Sequence, residues 1–356
     1  MTTPTQPRQQ LQAPTRADDG PGRRLPDQHL PQSVYRDGGG QVSRDLAPGR
    51  LVTALRSQAP GAMLWVDVDS ANRHQHAMLE KVFGFHPLAI EDTLNPESRV
   101  KVEEYDGYLF ATVRVVRFRD NTAEPYDLET INLYVFLGRN FLVTVHAEAL
   151  ASVTGAAELV ARTPDVLARG PARLAHVIMD RAIDAYFPFL DQVDEFVEGL
   201  EHRVFAEFDE AALHDIFSVK RLVLSLRRYL APQRELFNVL TNRPTPFLPL
   251  DTQIYFRDIY DHVLRINDSL DNDRELLSST MDSYLTQVSN RLGMVTKGLT
   301  VIATLSVPFV AVSGMWGMNF ELIPLATHPL GFWLMLAFQL GIGVALLAVL
   351  RWRKLV

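Results

Sequence analysis

Cysteine is absent from all 356 residues. That excludes disulfides, Cys-ligated zinc, iron–sulfur clusters and a thiol nucleophile. Positive charge is scarce too: 35 Lys and Arg stand against 42 Asp and Glu, a formal net of −7. Nucleic acid held through a basic surface is therefore not expected. Two stretches lack charge altogether, Gly298–Phe320 over 23 residues and Leu322–Leu350 over 29. The first fifty residues lack the opposite, an apolar run, and hold 7 of the 21 prolines, 6 of the 20 glycines and 7 glutamines. Residues 1–50 are thus expected to form a disordered Pro/Gln/Gly-rich tail, without a secretory signal.

About 20 apolar residues cross a bilayer as a helix. Transmembrane helices are predicted at 298–320 and 329–350, joined by an external loop at 321–328. Lys297 precedes the first span, Arg351, Arg353 and Lys354 follow the second, and the loop carries only Glu321. Positive flanks stay on the cytoplasmic side. The chain reads as a multi-pass protein of the plasma (inner) membrane with both termini cytoplasmic, 351–356 being a basic tail. No Asp, Glu, Lys or Arg lies inside either span, which argues against a carboxylate proton relay.

Between the tail and the spans two patterns follow one another. Residues 51–170 alternate strand and helix signals. Met63–Val68, Tyr108–Arg117, Ile131–Leu137 and Phe141–His146 are β-branched and aromatic runs of strand length, with Gly138-Arg139-Asn140 as a hairpin turn. Helices are predicted at Ser70–Phe83, opening on a Ser cap, and at His86–Leu94. This is an α/β cytoplasmic domain with a mixed sheet. Residues 171–297 form a helical stalk region. Ala172–Glu207 and Glu210–Asn242 carry apolar residues at three- and four-residue steps. After Pro244, Pro246 and Pro249 a further helix starts near Asp251 and enters the first span without a break, meeting its first proline at Pro308.

Six aspartates, Asp251, Asp258, Asp261, Asp268, Asp271 and Asp273, fall within 23 residues of that helix. Most read as a solvated face; as hard oxygen donors they also suit Mg²⁺ or Ca²⁺. His74 and His76 sit on a polar helix with no catalytic constellation, so the chain is read as not an enzyme. Two helices cannot enclose an aqueous path, so a channel would require an oligomer. Thr296, Leu299, Ala303, Val307, Val310 and Gly314 recur at helical steps and suit one pore-lining stripe.

Trp316-Gly317-Met318-Asn319-Phe320 closes the first span. A Gly-Met-Asn tripeptide there, between two C-terminal spans, resembles the signature of the CorA family of magnesium/cobalt divalent-cation channels. His86–Asp92, Lys101-Val102-Glu103 with Tyr108, Asn140–His146, Leu226-Arg227-Arg228, Arg257–His262, Leu299–Thr304 and Pro308 extend the resemblance over residues 60–356. It implies a funnel-shaped homopentamer whose first spans line the pore. It also implies an external selectivity filter of Gly317, Met318 and Asn319, passing hydrated Mg²⁺, with Co²⁺ or Ni²⁺ tolerated. Glu321 just outside would concentrate cations. Regulatory Mg²⁺ would lie between subunits, on Asp92 and Asp258 with Glu91 close by and Asp184 as a second-site ligand.

No organic cofactor is implied; the partners are the bilayer, divalent cations and further copies of the chain. Trp316 stands where the family often has Tyr, Gly293 for Asn, Thr296 for Met and Val310 for Thr. A Zn²⁺-moving branch, which tends to carry Gly-Ile-Asn, is the nearest alternative. A membrane-tethered sensor or scaffold without transport is the alternative from another class.

Overall fold

The computed structural model describes residues 30–118, 128–206, 209–318 and 328–353. The chain divides into two compact units, one of Met1–Gly199 with Asp215–Leu277 and one of Leu200–His214 with Ser278–Val356.

The first unit is built on a seven-stranded sheet: β1 (Gln32–Arg36), β2 (Val42–Arg44), β3 (Met63–Asp69), β4 (Lys101–Tyr105), β5 (Tyr108–Phe118), β6 (Leu128–Gly138) and β7 (Phe141–His146). Its order is β2-β1-β3-β7-β6-β5-β4. Only β3 and β7 pair in parallel among these neighbours. Strands β3, β5, β6 and β7 form because alternate side chains bury on both faces of the sheet. The two-residue turn Arg139-Asn140 joins β6 to β7, and Asn140 fastens it by donating to the Leu55 and Ser57 carbonyls.

The expectation of a disordered tail through residue 50 is corrected here, because residues 32–44 contribute β1 and β2. A backbone of mixed polarity is held by the neighbouring strand: β1 pairs with β3 from Gln32↔Asp67 to Arg36↔Met63. The Ser33 hydroxyl adds a bond from the Leu46 amide. Sequence composition weighs side chains alone and misses this ladder. Residues 1–29 lie outside the described ones.

One face of the sheet packs against α1 (Pro48–Leu55), α2 (Arg73–Lys81) and α3 (Pro87–Asp92), with Leu64, Val66, Phe110, Phe136 and Val143 fully buried between them. Helix α2 opens at Asn72 rather than Ser70, since the Asn72 Oδ1 accepts from the His74 and Gln75 amides. This is the usual N-cap bond. His76, which the sequence places on a polar helix, is half-buried and bonds Thr93 at 2.9 Å. The opposite face takes α5 (Pro171–Asp184), which a short 3₁₀ turn at Pro164–Arg169 joins to α4 (Ala151–Arg162) packed against it. Beneath them Asp67 is buried with His146 at 3.0 Å and Thr144 at 2.5 Å. Burial pushes the His146 pKa down, but the charge and hydrogen bond of Asp67 outweigh it and the net shift is upward.

The helical run expected over Ala172–Glu207 is two helices, α5 and α6 (Tyr186–Ala206), interrupted at Ala185. Tyr186 is the anchor: fully buried, it donates to the Arg114 carbonyl of β5 and accepts from Gln233. Gln233 lies on α7 (Glu210–Asn242) and also accepts from the Arg114 amide. Helix α8 runs Leu250–Trp316, 67 residues with Pro308 inside, about 100 Å at 1.5 Å per residue. The proline does not end it. Helix α9 spans Gly331–Trp352.

Candidate permeation and metal-binding sites

In the second unit α9 covers one side of the apolar end of α8. Gln339, 6% exposed, donates to the Phe309 carbonyl and to the Ser313 hydroxyl at 2.7 Å. Gly343 lies so close that a Cβ there would meet the Phe309 ring at 2.8 Å. Val301, Thr304, Leu305, Pro308, Val312 and Trp316 are partly covered. At 100° per residue these cluster on one side of α8. Thr296, Leu299, Ala303, Val307, Val310 and Gly314 share the other side, and all six are exposed. Leu299 is 67% and Val310 70% open in this single chain. Apolar side chains left open over this length need lipid or further protein around them.

Helix α8 stops at Trp316. The Gly317 amide closes the last turn on the Ser313 and Gly314 carbonyls, and Met318 follows on the Met315 carbonyl. A Cβ at Gly317 would sit 3.5 Å from those same carbonyls, an ordinary van der Waals contact. Asn319, Glu321 and most of the connecting loop lie outside the described residues.

In the first unit, Asp92 ends α3. Its Oδ1 accepts from the Ser98 hydroxyl at 2.9 Å, and its Oδ2 is 2.8 Å from Lys101 Nζ. Glu91 beside it is exposed. Asp258 sits on α8, exposed, and its charge is felt by His176 and Asp180 of α5. Among the described residues no hydrogen bond or ion pair joins Asp92 to Asp258.

Asp184 belongs to a denser group. Arg173, His176, Asp180 and Asp184 follow three- and four-residue steps on α5, which places them on one face. That face meets Tyr255 and His262 of α8: the Arg173 guanidinium lies 3.3 Å over the Tyr255 ring, and His262 Nδ1 is 3.0 Å from Asp184 Oδ1. Ligand atoms of Asp180, Asp184 and His262 all fall within 4.8 Å of one another. Burial, then the Asp184 charge, raise the Asp180 pKa. Burial and then the Arg173 charge push His176 down to about 4, so it is a neutral imidazole at neutral pH. Asp180 Oδ1 is buried without a hydrogen-bond partner. Two carboxylates, one of them with an orphaned oxygen, and an imidazole are a donor set that a divalent cation accepts.

Asp180 and His262 were not singled out by sequence reasoning. The signal was the Arg173-His176-Asp180-Asp184 spacing, which reads from sequence as an amphipathic face.

An α/β domain, a long helix ending in an unburied apolar segment and a second apolar helix define a membrane protein with two C-terminal spans. Within that class the family model described as CorA-like Mg²⁺ transporter protein matches residues 60–353. The chain belongs to this family and is a CorA-like divalent metal ion transporter; the members are transporters rather than enzymes. The protein YfjQ of Bacillus subtilis is 30% identical over 290 residues, 80% of this chain and 88% of its own. The cobalt/magnesium transport protein CorA of Thermotoga maritima is 28% identical over 294 residues, 82% of each chain. Among solved structures, the CorA magnesium transporter of Methanocaldococcus jannaschii superposes with a TM-score of 0.76 at 21% identity. That match covers 90% of this chain and 97% of the other.

Proposed function

We propose that the chain assembles as a homopentameric channel that admits Mg²⁺, and also Co²⁺ or Ni²⁺, down the electrochemical gradient. The observation that carries this reading is the stripe from Thr296 to Gly314, open on the side of α8 that α9 leaves uncovered. Five such stripes around an axis would line a path, and α9 would face lipid. Related proteins that carry magnesium or cobalt in their names support the choice of ion.

Gly317, Met318 and Asn319 are read as the external filter. Mg²⁺ sheds its waters reluctantly, so amide oxygens can select the hydrated ion by hydrogen bonding its waters. A carboxylate ring would hold the ion too tightly to release it. With both termini inside, a dication gains about 4.6 kcal/mol per 100 mV of inside-negative potential, and no fuel is needed.

Intracellular Mg²⁺ closes the channel in this reading. Asp92, Glu91 and Asp258 would hold it between subunits, with Asp184 and its neighbours Asp180 and His262 at a second position. The donor set fits: hard carboxylate oxygens, one of them buried and unpartnered. Bound ions neutralise facing carboxylates; their loss leaves like charges at an interface and favours opening.

The test is flux into liposomes holding the full-length chain, with Mg²⁺, Co²⁺ and Zn²⁺ offered outside, with and without Mg²⁺ inside. Uptake of Mg²⁺ that internal Mg²⁺ suppresses, abolished by Asn319→Ala in a variant that still assembles, is expected. Zn²⁺ uptake alone would favour the Zn²⁺ branch, and no uptake of any ion a tethered sensor.

A further inference from the structure

Lys101 is unused by the reading above, yet it touches the principal residue of that reading. It opens β4, and strand alternation puts Lys101, Glu103 and Tyr105 on one face. Its Nζ is 2.8 Å from Asp92 Oδ2 and 2.8 Å from Glu103 Oε2. The Tyr105 hydroxyl donates to that same Glu103 oxygen at 2.9 Å, fixing its position. The Asp92 side chain is 23% exposed, that of Lys101 30% and that of Glu103 39%. Both oxygens of Asp92 are therefore engaged by its own chain, one by the Ser98 hydroxyl and one by an ammonium.

We propose that Lys101 is a tethered competitor for the regulatory divalent cation, seated on Asp92 when the ion is absent and shifted onto Glu103 when the ion binds. This rests on Asp92 being a ligand of that ion. A dication on Asp92 cannot share Oδ2 with an ammonium, because like charges a few ångströms apart repel strongly in a partly dehydrated site. Glu103 supplies the second seat. It already holds Lys101, so the exchange needs only the loss of one contact and no search by the side chain. Occupancy is then set by an exchange between two cations, and the midpoint lies at a higher Mg²⁺ concentration than Asp92 alone would give. An intracellular sensor that must stay open until Mg²⁺ is plentiful is served by such a handicap.

The experiment titrates Mg²⁺ against protease protection of the full-length protein in detergent, recording the midpoint for wild type and variants. Lys101→Met is expected to lower the midpoint about three- to fivefold, the effect of one partly exposed unit charge. Lys101→Arg keeps the charge and should stay within about twofold of wild type. Lys101→Gln carries the same expectation as Lys101→Met and retains a hydrogen bond to Glu103, should the methionine variant fold poorly. An unchanged or raised midpoint in both neutral variants, while Asp92→Ala loses protection, overturns the competitor and leaves the regulatory site standing. Protection that survives in Asp92→Ala overturns the regulatory site itself, and the competitor with it.

Discussion

Asp273 shows how far one residue can depart from its spacing. The sequence places it among six aspartates that read mostly as a solvated face. Asp251, Asp258, Asp261 and Asp268 are indeed exposed, and Asp271 pairs with Arg227 at 2.8 Å. Asp273, however, is only 1% exposed. It faces Asp194 of α6, a helix about eighty residues earlier, and no helical period of α8 encodes what another helix lays over it. Burial first, then the hydrogen bond with Asp194 and its charge, push the Asp273 pKa up to about 7. The folded chain thus holds a proton that the unfolded chain releases near the ordinary value of about 4. Between those two pH values the native state binds more protons, so stability falls as pH rises and levels off above about 7. Asp273→Asn mimics the protonated acid and still donates to Asp194. In thermal melts of the full-length protein it should raise the melting temperature near pH 8. The gain should vanish below about pH 5. A variant that melts no higher than wild type at alkaline pH would show the pair is solvated after all.

At the scale of elements, strength of pattern decided what could be read. β3, β5, β6 and β7 were legible because β-branched and aromatic runs of that length have few other uses. β1, β2 and β4 were not, since strands at or next to the sheet edges carry mixed polarity and owe their form to a neighbour's backbone. The long α8 was legible through the absence of breakers from Asp251 to Pro308. Its continuation past Pro308 was expected from the uncharged run 298–320, since helices in lipid tolerate a proline when neighbours satisfy the freed groups. The contact between α8 and α9 was also hidden, because both are apolar all round and offer no polar face to orient them. The structure orients them through Gly343 against Phe309 and the Gln339 amide. Small residues and satisfied amides are the usual means by which spans associate. Gly343→Leu should therefore force the helices apart and lower the melting temperature of the detergent-solubilised protein by several degrees. Gly341→Leu is the control: a Cβ at that position meets nothing within 4 Å, and its melting temperature should not move. Equal effects from the two would mean that α9 is not held at Gly343.

For the whole molecule the average of −7 conceals a division that matters for function. Residues 51–297 carry 25 basic and 36 acidic side chains, a net of −11, while the tail before them and the spans after them are each slightly positive. In the proposed pentamer that negative charge is repeated five times about one axis, and self-repulsion of this size destabilises a compact state. Two remedies are available to such an assembly, and they behave differently. General salt screens all charges over about 8 Å at physiological ionic strength. A divalent ion held by carboxylates from two subunits neutralises only where it binds, and needs particular residues. Chelation of Mg²⁺ should accordingly expose the stalk to protease, and NaCl at matched ionic strength should restore little of the protection. Asp92→Ala combined with Asp258→Ala should lose the Mg²⁺ response while keeping the modest response to NaCl. Full restoration by NaCl in wild type would mean that diffuse charge, not a bound ion, governs the interface. The acidic composition would then be a solubility feature of the cytoplasmic region rather than part of its sensing mechanism.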